Sequence, residues 1–155
     1  ARELTKSTIP ALIDALTSSY ELPERAIRIE LTEQAALRDE AKTLAAAMAL
    51  TAVGAGLVLD DFGTGHSSFA WLADLPFDSL KIDHGLTSRL GQQRNDTILS
   101  AITLLAQRLN MSTTAEGVEK REDGGRLRAL GFDYAQGFAF ARPMDSANAL
   151  KFLKG

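Results

Sequence analysis

Side chains able to hold a metal ion or move a proton recur where strands are expected to end. Ile27-Arg-Ile-Glu30 ends at Glu30, and Leu57-Val-Leu-Asp-Asp61 ends at Asp60 and Asp61. Ser79-Leu-Lys-Ile-Asp83 runs through Lys81 to Asp83, Thr113-Thr-Ala-Glu116 ends at Glu116, and Tyr134-Ala-Gln136 ends at Gln136. Parallel α/β folds gather their chemistry at the carboxyl ends of strands. Carboxylate oxygens are the donors that hard divalent cations prefer, and such a cation can activate water and neutralise phosphoryl oxygens. Such carboxylates, with a lysine and a glutamine on one rim, therefore suit a metal site that handles phosphate.

The elements that must position this rim alternate along the chain. Ser7 can cap a first helix, with Pro10 in its opening turns and Leu12, Ile13 and Leu16 as its apolar stripe. Glu21-Leu-Pro-Glu24 breaks that helix before the strand to Glu30. The Ala- and Leu-rich stretch from Ala41 to Val53 predicts a helix, stopped by Gly54 and Gly56. Leu57 to Asp60 is apolar until its acidic end, the pattern of a strand covered on both faces. Phe62-Gly-Thr-Gly65 predicts a tight loop, with Ser67 or Ser68 capping a short helix through Leu75.

Beyond Pro76 the pattern repeats. A strand is expected at Leu80 to Ile82 and an amphipathic helix at Thr97 to Leu109. Then come a strand at Thr113 to Glu116 and a helix at Glu122 to Leu130, interrupted near Gly124-Gly125. A strand from Tyr134 to Phe140 and a short helix capped by Ser146 close the series. Strand–helix alternation with short connections predicts one domain with a parallel sheet. About five strands suffice for an open sheet but not for an eight-stranded barrel.

Composition narrows the function classes. At 155 residues and 45% hydrophobic, the chain can bury a sizeable single core. Zero cysteines rule out disulfides and thiolate metal sites and are compatible with a cytoplasmic location. No apolar run approaches the roughly 20 residues that span a bilayer, although a membrane-tethered parent protein stays compatible with this sequence. A net charge of −3 confers no general affinity for polymeric nucleic acid or acidic membranes.

Five motifs occur in order: Glu30-Leu-Thr-Glu33, Asp60-Asp-Phe-Gly-Thr-Gly65 with Ser67-Ser68, Leu80-Lys-Ile-Asp83, Ala115-Glu-Gly-Val-Glu119 and Asp133-Tyr-Ala-Gln-Gly137. Together they resemble the successive strand ends of the EAL domain, the bacterial phosphodiesterase that hydrolyses cyclic di-GMP. The resemblance runs from Ala1-Arg-Glu-Leu4 to Arg142-Pro143. It implies a partial TIM-type (β/α) barrel using Mg²⁺ or Mn²⁺, as a two-metal site when the domain is complete, to open cyclic di-GMP to linear pGpG. By the same resemblance Glu30, Asp60, Asp61 and Glu116 match metal-binding carboxylates, one of the aspartates able to bridge two ions. Lys81 matches the lysine beside the attacking water, and Glu116 also belongs to the water shell. Gln136 matches a glutamine near water and substrate phosphate, and Glu33 a glutamate that anchors the loop after the paired aspartates. Glu119 is a secondary candidate. For Asp83 a structural hydrogen bond and a ligand contact are both open.

Plainer readings exist for each residue alone. Paired acids can begin a solvated loop, Glu30 can form a strand-end salt bridge, and an isolated lysine is usually a surface group. Position in the ordered series favours a site role for all of these. His66 and His84 share no metal-ligand spacing and read as loop and surface residues. Phe69, Trp71 and Leu72 read as packing of a short helix.

Departures from the family pattern set further expectations. The Glu-Ala-Leu strand and the asparagine of the strand after it, both metal-binding in the family, have no counterpart here, so roughly three barrel strands are expected to be absent. His66 stands in place of an aromatic, and Gly85 in place of a polar residue. Open sheet edges and exposed inner faces at Val58, Leu59 and Ile82 are expected, and with them self-association or pairing with an amino-terminal segment. A parent protein with sensory or GGDEF domains fits the resemblance, and this chain by itself is expected to turn over weakly or not at all. The alternative is a catalytically inactive module that senses cyclic di-GMP or binds a protein, or a remnant with neither activity.

Overall fold

A computed structural model describes residues 8–36, 40–64 and 69–154, apart from the side chains of residues 33, 36, 40 and 69–71. Strands β1 (Arg28–Thr32), β2 (Gly56–Phe62), β3 (Ser79–Ile82), β4 (Ser112–Ala115) and β5 (Tyr134–Ala135) form one sheet in the order β1-β2-β3-β4-β5. All four pairings are parallel. Helices α1 (Thr8–Ser19), α2 (Glu33–Ala36), α3 (Glu40–Ala52), α4 (Phe69–Asp74), α5 (His84–Thr87), α6 (Gln93–Arg108), α7 (Asp123–Ala129) and α8 (Ser146–Lys154) fill the intervals. Sequential order with parallel pairing is the connectivity of a TIM-type barrel wall, as the motif series implies.

Alternation along each strand divides the sheet into two chemical faces. Leu57 and Leu59 of β2, Leu80 and Ile82 of β3, and Ala115 of β4 are buried in the main core with Leu99, Ala106 and Leu127 of the helices. The alternate residues form the second face: Glu30, Val58 and Asp60, then Ser79, Lys81, Ser112 and Thr114. Ser112 Oγ donates to Ser79 Oγ at 3.0 Å, which places those two side chains together. A smaller cluster of Ile13, Leu50 and Ala55 joins α1 to α3, with Ile27 and Ile29 packed against it.

The expected exposure of Val58, Leu59 and Ile82 is not found. They are 3%, 2% and 0% exposed. Leu59 and Ile82 point under the helices, and Val58 sits between its register partners Glu30 and Ser79. The apolar stretch of β2 thus reflects a helix-covered face plus one enclosed valine. The exposed apolar side chains include Phe138 and Phe140 after β5 and Leu150, Phe152 and Leu153 of α8.

Several boundaries differ from the sequence reading. β1 continues beyond Glu30 to Thr32, whose Oγ1 accepts from the Ala35 amide at 3.3 Å and caps α2, an element not anticipated. α6 starts at Gln93, four residues before Thr97. α7 runs through Gly124 and Gly125, in its first turn, without interruption. β5 ends at Ala135 instead of Phe140. A Cβ at Gly137 would run into the Val118 backbone, and this close approach turns the chain out of the ladder. The predicted caps Ser7, Ser67 and Ser68, and His66, lie outside the described residues.

A short repeat sets the opposite end of the sheet. Phe77-Asp78 precedes β3 and Phe132-Asp133 precedes β5, with Phe77 8% and Phe132 7% exposed. Asp78 Oδ2 accepts from the Leu57 amide at 2.8 Å, and Asp133 Oδ2 from the Thr113 amide at 2.8 Å. Each carboxylate satisfies the first free N–H of the strand beside it, so these acids belong to the scaffold.

Candidate metal centre

β2 delivers two consecutive acids to one place by breaking its own alternation. From Leu59 to Phe62 it advances three residues while β3 advances two, from Leu80 to Ile82. The extra residue is a β-bulge, and Asp61 within it has φ +58°. Aspartate is among the few non-glycine residues that accept this left-handed conformation. Without the bulge Asp60 and Asp61 would project to opposite faces; with it, oxygens of Asp60, Asp61 and Glu116 lie within 4.8 Å of one another.

Lys81 stands in the middle of the acids. Its Nζ lies 2.7 Å from Glu116 Oε1, 3.1 Å from Asp60 Oδ1 and 3.1 Å from Glu30 Oε1, and it donates to Glu30 Oε2 at 3.1 Å. Burial disfavours its ammonium form, but contacts with Glu116, Asp60 and Glu30 outweigh that and hold its pKa above the usual lysine range. The Lys81 side chain is 11% exposed and that of Glu30 51%, since β1 is an edge strand of the described sheet. Burial, followed by repulsion from Asp60 and Asp83, raises the Asp61 pKa above 3.8 despite the opposing pull of Lys81.

Asp60 Oδ1 tests whether a cation fits. This atom is buried and accepts no aligned hydrogen bond, although Lys81 Nζ lies beside it. An ion-pair contact off the donor direction leaves lone-pair capacity free, and buried oxygens in that condition are uncommon. An all-oxygen set with a spare buried lone pair suits a hard divalent cation. The fit is favourable.

The remaining sequence candidates fall in different places. Asp83 Oδ1 accepts from the Gly85 amide at 2.7 Å and caps α5. Gln136 is exposed just beyond β5, its backbone bridging Ala115 and Val118. Glu119 is exposed and lines a separate cavity of about 290 Å³ with His84, Ser88 and Asp123. The side chain of Glu33 lies outside the described residues. Arg142 stacks over Phe138 at 4.5 Å from the ring centre, clear of the carboxylates' contacts. Sequence reasoning passed over Thr87 and Asp78 and named Asp133 only as the start of a motif; for the two aspartates the repeated Phe-Asp before a strand was the available signal.

The fold agrees with comparisons to known proteins. The EAL domain family matches residues 2–143, and the chain belongs to that family. The cyclic di-GMP phosphodiesterase RocR of Pseudomonas aeruginosa is 37% identical over 144 residues, covering 92% of this chain and 37% of RocR. The structure of the MucR phosphodiesterase of P. aeruginosa with c-di-GMP is 34% identical with a TM-score of 0.82, covering 94% of this chain and 65% of the other. The manganese/cy-diGMP complex of Klebsiella pneumoniae BlrP1 is 28% identical with a TM-score of 0.79, covering 89% of this chain and 35% of the other. The chain thus spans little more than a third of RocR's length. Among the described residues, no helix is long and apolar enough to cross a membrane.

Proposed function

We propose that the rim of β1 to β5 is the metal-dependent site of a cyclic di-GMP phosphodiesterase, hydrolysing the substrate to linear pGpG. The observation that carries this is the bulge at Asp60-Asp61, with which oxygens of Asp60, Asp61 and Glu116 lie within 4.8 Å of one another, Asp60 Oδ1 among the acids being buried without an aligned hydrogen bond. Glu30, Asp60, Asp61 and Glu116 would hold Mg²⁺ or Mn²⁺. When bound, such an ion lowers the pKa of water and offsets phosphoryl charge.

The protein's own side chains do the rest. Lys81, charged at neutral pH and 2.7 Å from Glu116, supplies fixed positive charge where negative charge grows on the phosphate. Glu116, salt-bridged to that ammonium, is placed to orient water. The exposed Gln136 offers amide donors to a phosphate oxygen. Kinship with RocR and with cyclic di-GMP complexes of MucR and BlrP1 supports the substrate class.

The same reading gives Asp83 a scaffold role and Glu33 a loop-anchoring one. Free edges at β1 and β5 of the described sheet and exposed Phe138, Phe152 and Leu153 support pairing with a second copy or an amino-terminal segment. Chromatography of cyclic di-GMP incubated with the chain and Mn²⁺ tests the proposal. Slow pGpG formation that stops with a chelator and with Asp60→Asn is expected. Binding of the nucleotide without turnover would favour the sensor reading instead.

A further inference from the structure

Thr87, on α5, is a buried hydroxyl behind the site, 7% exposed. Its Oγ1 lies 2.5 Å from the backbone oxygen of Glu116 and 3.4 Å from that of His84. One hydroxyl proton serves one good bond, and the shorter contact takes it. On its other side the Glu116 peptide donates N–H to Ile82 O at 3.1 Å. Both polar backbone groups of Glu116 are therefore tied to the segment 82–87, which begins directly after Lys81.

Two further contacts stiffen this segment. Asp83 caps α5 through the Gly85 amide at 2.7 Å. Gly117 takes φ +67° against the His84 ring, which leaves no room for a Cβ. The Glu116 backbone is thus held at three points, and only the Thr87 bond is made by a side-chain donor. We infer that Thr87 is a positioning residue of the metal centre: its hydroxyl orients the Glu116 peptide so that the carboxylate meets Asp60, Asp61 and Lys81. This rests on the reading of Glu116 as a metal ligand.

Manganese EPR titration of the full chain separates positioning from packing. Thr87→Val keeps the shape and loses the donor; Thr87→Ser keeps the donor and loses the methyl. A positioning role weakens Mn²⁺ binding about ten-fold in Thr87→Val, and Thr87→Ser stays near the wild type. A role confined to packing gives the reverse order, and that order, or wild-type affinity in Thr87→Val, overturns the inference. Should Thr87→Val not fold, the same comparison is made between Thr87→Ser and Thr87→Ala. If the wild type binds no Mn²⁺, the metal reading fails by itself, and crystals of metal-free wild type and Thr87→Val then decide. A Glu116 carboxylate displaced from Lys81 in the variant supports positioning; an unchanged 2.7 Å pair refutes it.

Discussion

Lys81 Nζ lies 2.7 Å from Glu116 Oε1, although the register partner of Lys81 on β4 is Thr114. The lysine therefore reaches up the neighbouring strand, on the same face, to the acid two residues on. That diagonal contact, with those to Glu30 and Asp60, makes Lys81 the counter-charge of the site. Lys81→Met leaves the acids facing one another and is expected to lower metal-free stability by about 2 to 3 kcal/mol at pH 7, below the loss at a fully buried pair because Glu30 is half exposed. The folded pKa of Lys81 is raised, so its contribution is complete below its unfolded value of 10.5 and fades as pH rises through the higher folded value. Urea denaturation with a chelator at pH 7 and pH 11 checks both the loss and its narrowing.

Asp61 carries the opposite sign. Its folded pKa is raised, so the native state holds its proton to higher pH than the unfolded chain does. Stability then falls as pH rises from 3.8 through that higher value, and the penalty persists at neutral pH. Asp61→Asn suits the same left-handed backbone and removes the charge. It is expected to raise metal-free stability slightly, by less than about 1 kcal/mol after solvent screening. The same variant should weaken Mn²⁺ binding at least ten-fold, about the cost expected of losing a metal-site group. Opposite changes in melting temperature and metal affinity would identify a charge retained for binding at the expense of stability.

Asp133 is an acid that should leave the metal untouched. It accepts from the Thr113 amide at 2.8 Å and from Thr113 Oγ1 at 3.0 Å, beneath a residue 1% exposed. Asp133→Ala orphans that amide and is expected to cost about 1 to 2 kcal/mol. Its Mn²⁺ affinity should equal the wild type's, as measured by EPR titration.

Gly137 follows Gln136 where β5 leaves the sheet. Because an added Cβ would strike the Val118 backbone, relief requires the β4–β5 ends to part. Gly137→Ala is expected to lose about 2 to 3 kcal/mol, in the upper range for overpacking. Thermal unfolding of the variant measures it.

These residues mark what was legible in the sequence. The strand order and the acids at the strand ends were visible because an apolar run closed by a charge is a local pattern. The Asp60-Asp61 pair was readable as residues, but not the means of aiming both at one side. A bulge is set by the pairing of β2 with β3, and nothing in Leu57-Val-Leu-Asp-Asp61 distinguishes it from regular alternation. For Asp83 a structural hydrogen bond and a ligand contact both stayed open, because the four residues of α5 that follow it are too few to show a period and so hid the cap it makes on Gly85. The apolar run Leu57 to Asp60 carried the local signal of a strand covered on both faces, and Val58, 3% exposed, follows that signal and not the exposure expected of a partial barrel. Asp78 escaped notice, and Asp133 was quoted in a motif without its scaffold role, because their partners lie on adjacent strands, 21 and 20 residues away.

Everything proposed for the site depends on Asp60, Asp61 and Glu116 holding a divalent cation. An anomalous difference map from crystals of the chain soaked in Mn²⁺ tests it most directly. A peak is expected within coordination distance of Asp60, Asp61 and Glu116 oxygens, with Lys81 Nζ drawn away from Asp60 Oδ1. Saturating Mn²⁺ with no peak there, and Lys81 still 3.1 Å from Asp60, would contradict it.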